Sequence, residues 1–270
     1  MNRIRKVTLK AKEEGRKLLI PYLVAGDPNL SITVDLMNEL VKDGADIIEL
    51  GIPFSDPSSD GPVIQRGVER ALARGTTLEE ILQVVSRFRC GNSVTPIVLM
   101  GYLNPIEIMG YELFAQLSSE VGVDGVLVVD MPPAESANLK HLLQEASIEM
   151  IYLVAPTTSH VRANTIARYS SGYLYYVSLK GVTGAALTDL ESVASSIKIL
   201  RELTDLPIVI GFGIKDADSA REMSELAEGV VIGSSLVEEI AKLAGKEQIS
   251  NTEITATTEL IRESRKAIDN

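Results

Sequence analysis

The chain has 270 residues, 26 Lys and Arg against 37 Asp and Glu for a formal net charge of −11, and 45% hydrophobic residues with no tryptophan. That apolar share suffices for a packed core and excludes wholesale disorder, while the acidic balance argues against a nucleic-acid or anionic-membrane surface, which needs clustered Lys and Arg. One cysteine, Cys90, excludes an internal disulfide and a multi-cysteine metal centre; with His141 and His160 the only histidines, no metal site is expected.

In chain order, the basic start MNRIRKVTLKAKEEGRK lacks the apolar stretch of a signal peptide. The spacing of Ile4, Val7 and Ala11 predicts a helix lying against the domain. Eight short apolar runs follow: from Leu18, Asp46, Thr95, Asp124, Met150, Gly172, Leu206 and Glu228. They are apolar on both faces, as in strands of a parallel sheet covered on each side. Between them lie helical stretches. One is SITVDLMNELVKDG, with Ser31 as cap and Gly44 as stop. Another runs from Thr77 to Gly91, a third follows Pro132-Pro133, and a fourth runs from Asp216 to Gly229. No run reaches the ~20 apolar residues of a membrane span, so a soluble, cytoplasmic protein is expected.

Eight strand–helix alternations in one chain predict a single (β/α)8 barrel domain over residues 1–270, with the extra helix at its N-terminus. An open doubly wound sheet is the competitor, but GxGxxG is missing after the first strand. In such a barrel the loops that follow the strands build the site. The link from Gly51 to Val94 is unusually long, and the loop KGVTGAALTD follows the sixth strand.

Glu49 is a carboxylate near the end of the apolar second run. Burial would raise its pKa towards neutrality, which suits proton transfer; a solvated strand end or a structural ion pair is the alternative. Asp60 lies in FSDPSSDGP, whose composition first of all makes a turn, with Asp56 and Asp60 as turn formers. The functional alternative returns Asp60 over the barrel mouth, facing Glu49. Glycine-bearing loops after strands six, seven and eight carry Gly184, Gly211, Gly213, Gly233, Ser234 and Ser235. Backbone amides there suit a phosphate. Lys180 is a rival Schiff-base nucleophile or a solvated lysine. Tyr173 and Tyr175 share one strand face and Tyr176 takes the other, so at least one of these tyrosines is packing. His141 within a helix and His160 at a helix start read as surface residues.

The segment IIELGIPFSDPSSDGPVIQRG resembles the signature of the tryptophan synthase alpha subunit family. The likeness continues through PYLVAGDP, MGYLNPI, GVLVVDMPP, YYVSLKGVTGA, PIVIGFGI and GVVIGSS, in order and over nearly the whole chain. The resemblance implies a (β/α)8 barrel that cleaves indole-3-glycerol phosphate to indole and glyceraldehyde 3-phosphate by a retro-aldol reaction, with no cofactor on this chain. It implies Glu49 and Asp60 as the catalytic pair, Glu49 moving protons and Asp60 holding the indole N–H. It further implies Tyr175 and Thr183 in the pocket and closing loop, and Gly184, Gly211, Phe212, Gly213, Gly233, Ser234 and Ser235 around the phosphate. Tyr22, Met100 and Leu127 are the implied pocket walls, with Ile232, or alternatively Val231, supplying another. A beta subunit carrying pyridoxal phosphate is the implied partner, in an assembly of two alpha and two beta chains. The sequence departs from the common pattern at Ser58 and Ser59, at Tyr22 where phenylalanine is usual, and at Met100 where leucine is usual. A Schiff-base aldolase using Lys180, and a non-catalytic barrel that binds ligand and partner, are the competing functions.

Overall fold

The computed structural model describes residues 2–177, 190–211 and 213–270. Its strands are β1 (Leu18–Val24), β2 (Ile48–Gly51), β3 (Ile97–Gly101), β4 (Gly125–Val128), β5 (Glu149–Val154), β6 (Leu174–Val177), β7 (Ile208–Gly211) and β8 (Gly229–Ile232). All pair in parallel and in chain order, and β1 closes on β8 with Leu18 opposite Gly229 and Pro21 opposite Ile232. The predicted barrel is therefore the fold, and closure removes the open-sheet alternative. The helices are α1 (Arg3–Glu13), α2 (Leu30–Lys42), α3 (Pro62–Leu72), α4 (Leu78–Gly91), α5 (Leu103–Met109), α6 (Tyr111–Val121) and α7 (Ala137–Glu145). They continue with α8 (His160–Tyr169), α9 (Leu190–Arg201), α10 (Ala217–Leu226), α11 (Ser234–Ala241), α12 (Asn251–Thr257) and α13 (Glu259–Asp269). Among the described residues no helix is long and apolar enough to cross a membrane.

The strands are apolar on both faces because each face meets a different part of the core. Along β1, Leu18, Ile20, Tyr22 and Val24 point into the barrel, while Leu19 and Leu23 pack outward against the helices. The predicted N-terminal helix closes the barrel floor: Ile4 of α1 is fully buried in the interior cluster. A Cβ on Gly125 would stand 2.9 Å from the Ile4 Cδ1, so β4 opens with glycine to admit that side chain. Burying one such residue stabilises the fold by roughly 1.5–3 kcal/mol.

The floor carries a motif repeated four times. A residue one to three positions before each even-numbered strand bonds one residue of the preceding odd strand twice. The amides of Asp46, Asp124, Ser171 and Glu228 donate to the carbonyls of Leu19, Ile97, Met150 and Ile208, each at 2.9 Å. The side chains of the same four residues accept from the amides of those same partners, at 2.8, 3.0, 2.8 and 3.0 Å. Three of the four are carboxylates held by arginines: Asp46 by Arg16 and Arg265, Asp124 by Arg3 and Arg89, Glu228 by Arg201. Polar groups at strand starts thus find partners without water.

Local signals explain most helix bounds. Thr77 caps α4 through a reciprocal bond with Glu80, and α4 ends at Gly91 as expected. Asp216 caps α10, but that helix stops at Leu226, short of the expected Gly229, which instead opens β8. The cap of α2 is Asn29, not Ser31. The Asn29 side chain accepts from the Ile32 amide, and the Ser31 hydroxyl is turned back onto Asn29. The long link after β2 hides α3, which begins at Pro62 after the N-cap Gly61.

Candidate functional site

Glu49 stands in mid-β2, opposite Tyr22 of β1 and Val98 of β3, and is completely buried. The Tyr173 hydroxyl, one residue before β6, donates to its Oε1 at 2.6 Å. Its Oε2 is buried with no hydrogen-bond partner among the described residues. Loss of water pushes the carboxyl up to about 7, against the Tyr173 bond, which pulls it down. Of the two alternatives for Glu49, a solvated strand end is not what the chain builds, and among the described residues Glu49 makes no ion pair.

Asp60 satisfies both readings of its segment. The stretch is a turn: the Asp60 amide donates to the Pro57 carbonyl and the Ser58 amide to the Asp56 carbonyl. Asp56 and its serine neighbour form an exposed pair. Asp60 itself is half-buried and lines a pocket at the C-terminal ends of the strands. It is held from both sides. The Gln65 side chain of α3 donates to its carbonyl at 2.8 Å, and the Tyr102 hydroxyl donates to its Oδ2 at 3.1 Å. Tyr102, just past β3, also accepts from the Ser59 amide at 2.9 Å and packs its ring on Phe54, centroids 5.5 Å apart. Burial raises the Asp60 carboxyl and the Tyr102 bond lowers it. Because Ser59 is engaged through its backbone, its side chain plays no part in this contact.

The pocket brings together Tyr22, Ser59, Asp60, Met100, Tyr175, Gly213, Val231, Gly233 and Ser234 of the residues singled out from the sequence, joined by Gly61, Ile64 and Ile214. Tyr22 and Tyr175 are buried beside Glu49; burial holds both phenols protonated, helped by the charges of Asp60 and Glu49 at Tyr22 and of Glu49 at Tyr175. Two glycines make room for them. A Cβ on Gly211 would stand 1.9 Å from the Tyr175 hydroxyl, and one on Gly51 would stand 2.4 Å from the Tyr22 hydroxyl. Gly211 thus serves as a seat for Tyr175 and is not among the lining residues. Gly213, at φ +81°, turns the chain after β7 in a conformation that favours glycine. Gly233 precedes α11, whose first amides receive no side-chain cap and so remain available to an anion. Ser234 lies at the pocket edge, whereas the Ser235 hydroxyl is spent on the Ile214 carbonyl at 2.8 Å, joining the loops after β7 and β8.

Ile232 does not reach the pocket; Val231 does. Alternation along β8 sends Val231 inward beside Ile20 and Gly211, and sends Ile232 outward among the helix-facing residues. Leu127 is fully buried in the interior cluster, outside the pocket lining. Thr183, Gly184 and Phe212, and with them the rival Lys180, lie outside the described residues. The reading of the tyrosines is refined: Tyr176 packs against the helices, while Tyr173 and Tyr175 both face Glu49. Tyr173 and Tyr102 were missed as functional residues. The shared face of Tyr173 and Tyr175 is the signal for the first, and the place of Tyr102 within MGYLNPI is the signal for the second.

The family model described as tryptophan synthase alpha chain matches residues 9–268. The tryptophan synthase alpha chain of Laribacter hongkongensis is 55% identical over 240 residues, 89% of this chain and 91% of its own. That of Marinobacter nauticus is 49% identical over 270 residues, 100% of this chain and 98% of its own. The crystal structure of tryptophan synthase subunit alpha from Legionella pneumophila superposes with a TM-score of 0.92 at 44% identity, covering 100% of this chain and 99% of that one. The chain therefore belongs to the tryptophan synthase alpha chain family, lyases of tryptophan biosynthesis with the (β/α)8 barrel fold.

Proposed function

We propose that Glu49 and Asp60 together carry the retro-aldol cleavage of indole-3-glycerol phosphate in the pocket above β2. The observation that carries this reading is Glu49: buried, its carboxyl near 7, one oxygen fixed by Tyr173 and the other unpartnered. A carboxyl with that pKa exchanges protons readily at neutral pH. In the reaction, the proton that Glu49 draws from the side-chain hydroxyl is passed on to indole C3, which leaves a cationic ring. Glu49 Oε2 takes the proton from the side-chain hydroxyl, the O–H pair becomes the new C=O bond, and the C–C pair returns to the ring. One proton leaves oxygen and one arrives at carbon, so no net charge or water is consumed. Asp60, oriented by Tyr102 and Gln65, holds the ring N–H and offsets its positive charge.

The phosphate sits on the amides that open α11 at Gly233 and Ser234, with Gly213 alongside. Oriented amides hold a dianion without a cluster of basic residues, which suits a chain of net charge −11. Residues 1–270 act as one catalytic domain. Family membership supports a beta subunit as partner, in an assembly of two alpha and two beta chains, with pyridoxal phosphate on the beta chain and a cytoplasmic location. The test is indole release from indole-3-glycerol phosphate. The wild-type chain forms indole and glyceraldehyde 3-phosphate in equal amounts, and Glu49→Gln lowers turnover by ~10²–10⁴-fold or more. Near-normal turnover in that variant would remove Glu49 from the chemistry.

A further inference from the structure

Tyr22 stands opposite Glu49 in the β1–β2 register, so both side chains leave their strands on the inward face. The ring crosses the barrel mouth. At one end its Cδ1 is 3.6 Å from where a Cβ on Gly233 would stand; at the other its hydroxyl is 2.4 Å from where a Cβ on Gly51 would stand. Gly51 is two residues beyond Glu49 on the same face of β2, so the phenol oxygen fills the space next above Glu49 along that strand. The aromatic body thus spans from the phosphate side to the carboxylate side, and its polar end lies at the carboxylates. Among the described residues the Tyr22 hydroxyl makes no hydrogen bond, although the residue is 8% exposed and lines the pocket. Glu49 Oε2 is likewise without a partner.

A phenol donor and a carboxylate acceptor, adjacent and both unused, suit a single ligand oxygen that accepts from one and donates to the other. A hydroxyl does this and an apolar group does not. We propose that the Tyr22 O–H contacts the side-chain hydroxyl oxygen of the bound indole-glycerol phosphate, the same oxygen whose proton Glu49 removes. This inference rests on the assignment of Glu49 made above. Burial and the neighbouring Asp60, Glu49, Tyr102 and Asp27 disfavour the phenolate, so Tyr22 remains a donor. As the O–H bond breaks towards Glu49 Oε2, negative charge grows on that oxygen and the Tyr22 bond strengthens; it relaxes once the C=O bond has formed. The Tyr22 proton stays on Tyr22 throughout. The hydroxyl therefore favours the transition state over the ground state.

The experiment pairs Tyr22→Phe, which removes one oxygen and keeps the ring, with an analogue whose hydroxyl-bearing carbon is a methylene. Cleavage of indole-3-glycerol phosphate is expected to lose about tenfold in kcat/KM, while wild type and variant bind the methylene analogue within about twofold of each other. Gly51→Ala, whose methyl takes the phenol oxygen's place, gives a similar loss by a second route. Unchanged kcat/KM in Tyr22→Phe, with an active wild type, overturns the inference and leaves Glu49 in its role. Equal losses in cleavage and analogue binding also overturn it, because the effect is then one of packing. A wild-type chain that does not cleave the substrate overturns the underlying assignment and this inference together.

Discussion

Glu49 pays for its position in stability, and the pH dependence of that cost is a direct consequence of its burial. An unfolded glutamate titrates near 4.5, while the folded one titrates at about 7. Below pH 4.5 both states hold the proton and nothing is lost. Between 4.5 and 7 the unfolded chain has released its proton and the folded chain has not, so rising pH favours unfolding; above 7 the full cost, on the order of 3 kcal/mol, is present. Glu49→Gln has no such titration and still accepts from Tyr173. We expect its stability relative to wild type to grow by about 2–3 kcal/mol between pH 5 and pH 8 in denaturant unfolding. A difference independent of pH would show that the folded carboxyl titrates normally. Glu49 was legible in the sequence because a carboxylate in an apolar strand is costly wherever the strand goes. Tyr173 was not, since its bond to Glu49 joins residues 124 apart and depends on how β6 faces β2 across the barrel. Asp60 was only half legible: its turn is local chemistry, but its aim into the pocket is set by Tyr102 and Gln65.

Strands and helices were readable to the extent that their signals are local. The eight apolar runs and the caps at Thr77 and Asp216 need only neighbours in sequence. The start of α2 is ambiguous in the sequence because Asn29 and Ser31 are both good caps, and only the extended backbone at Asn29, φ −164°, selects between them. Helix α3 was concealed by the turn-rich segment before it, although Pro62 marked its first turn. The choice between Val231 and Ile232 shows the same limit, because one residue of register exchanges inside for outside. The two substitutions to alanine should therefore separate. Val231→Ala removes pocket wall worth about 1 kcal/mol and raises KM about fivefold. Ile232→Ala leaves a void among the helix-facing residues and lowers stability by about 2–5 kcal/mol, with KM within about twofold of wild type. Parallel measurement of unfolding and of indole formation distinguishes them; the opposite pattern would reverse the assignment of β8 faces.

Over the whole molecule the barrel separates stability from chemistry by end. The fourfold motif at the floor ties β1, β3, β5 and β7 to residues that lead into β2, β4, β6 and β8, while the pocket lies at the opposite ends of the strands. The repeat divides the barrel into four pairs of strands, a regularity that the sequence does not display because Asp46, Asp124, Ser171 and Glu228 play one part with three residue types. The motif is not uniform in strength. Asp124 is 2% exposed and is bonded by Arg3, Arg89 and the Ile97 amide, whereas Ser171 makes neutral bonds only. Asp124→Ala leaves the half-buried Arg89 without its counter-charge and is expected to cost about 3–5 kcal/mol, against roughly 1 kcal/mol for Ser171→Ala. Both should retain the wild-type kcat per folded molecule. Thermal unfolding with activity assays at a permissive temperature checks this, and a loss of kcat in Asp124→Ala without loss of stability would contradict the separation.

The measurement that bears most directly on the central claim is the pH dependence of kcat/KM for indole formation by the wild-type chain. A buried Glu49 acting as the proton acceptor in the free enzyme gives an acid limb of slope one that levels off above a midpoint near pH 7, and Glu49→Gln leaves only a small residual rate without that limb. A wild-type profile that stays flat down to pH 5, or a limb that persists unchanged in Glu49→Gln, would contradict the account.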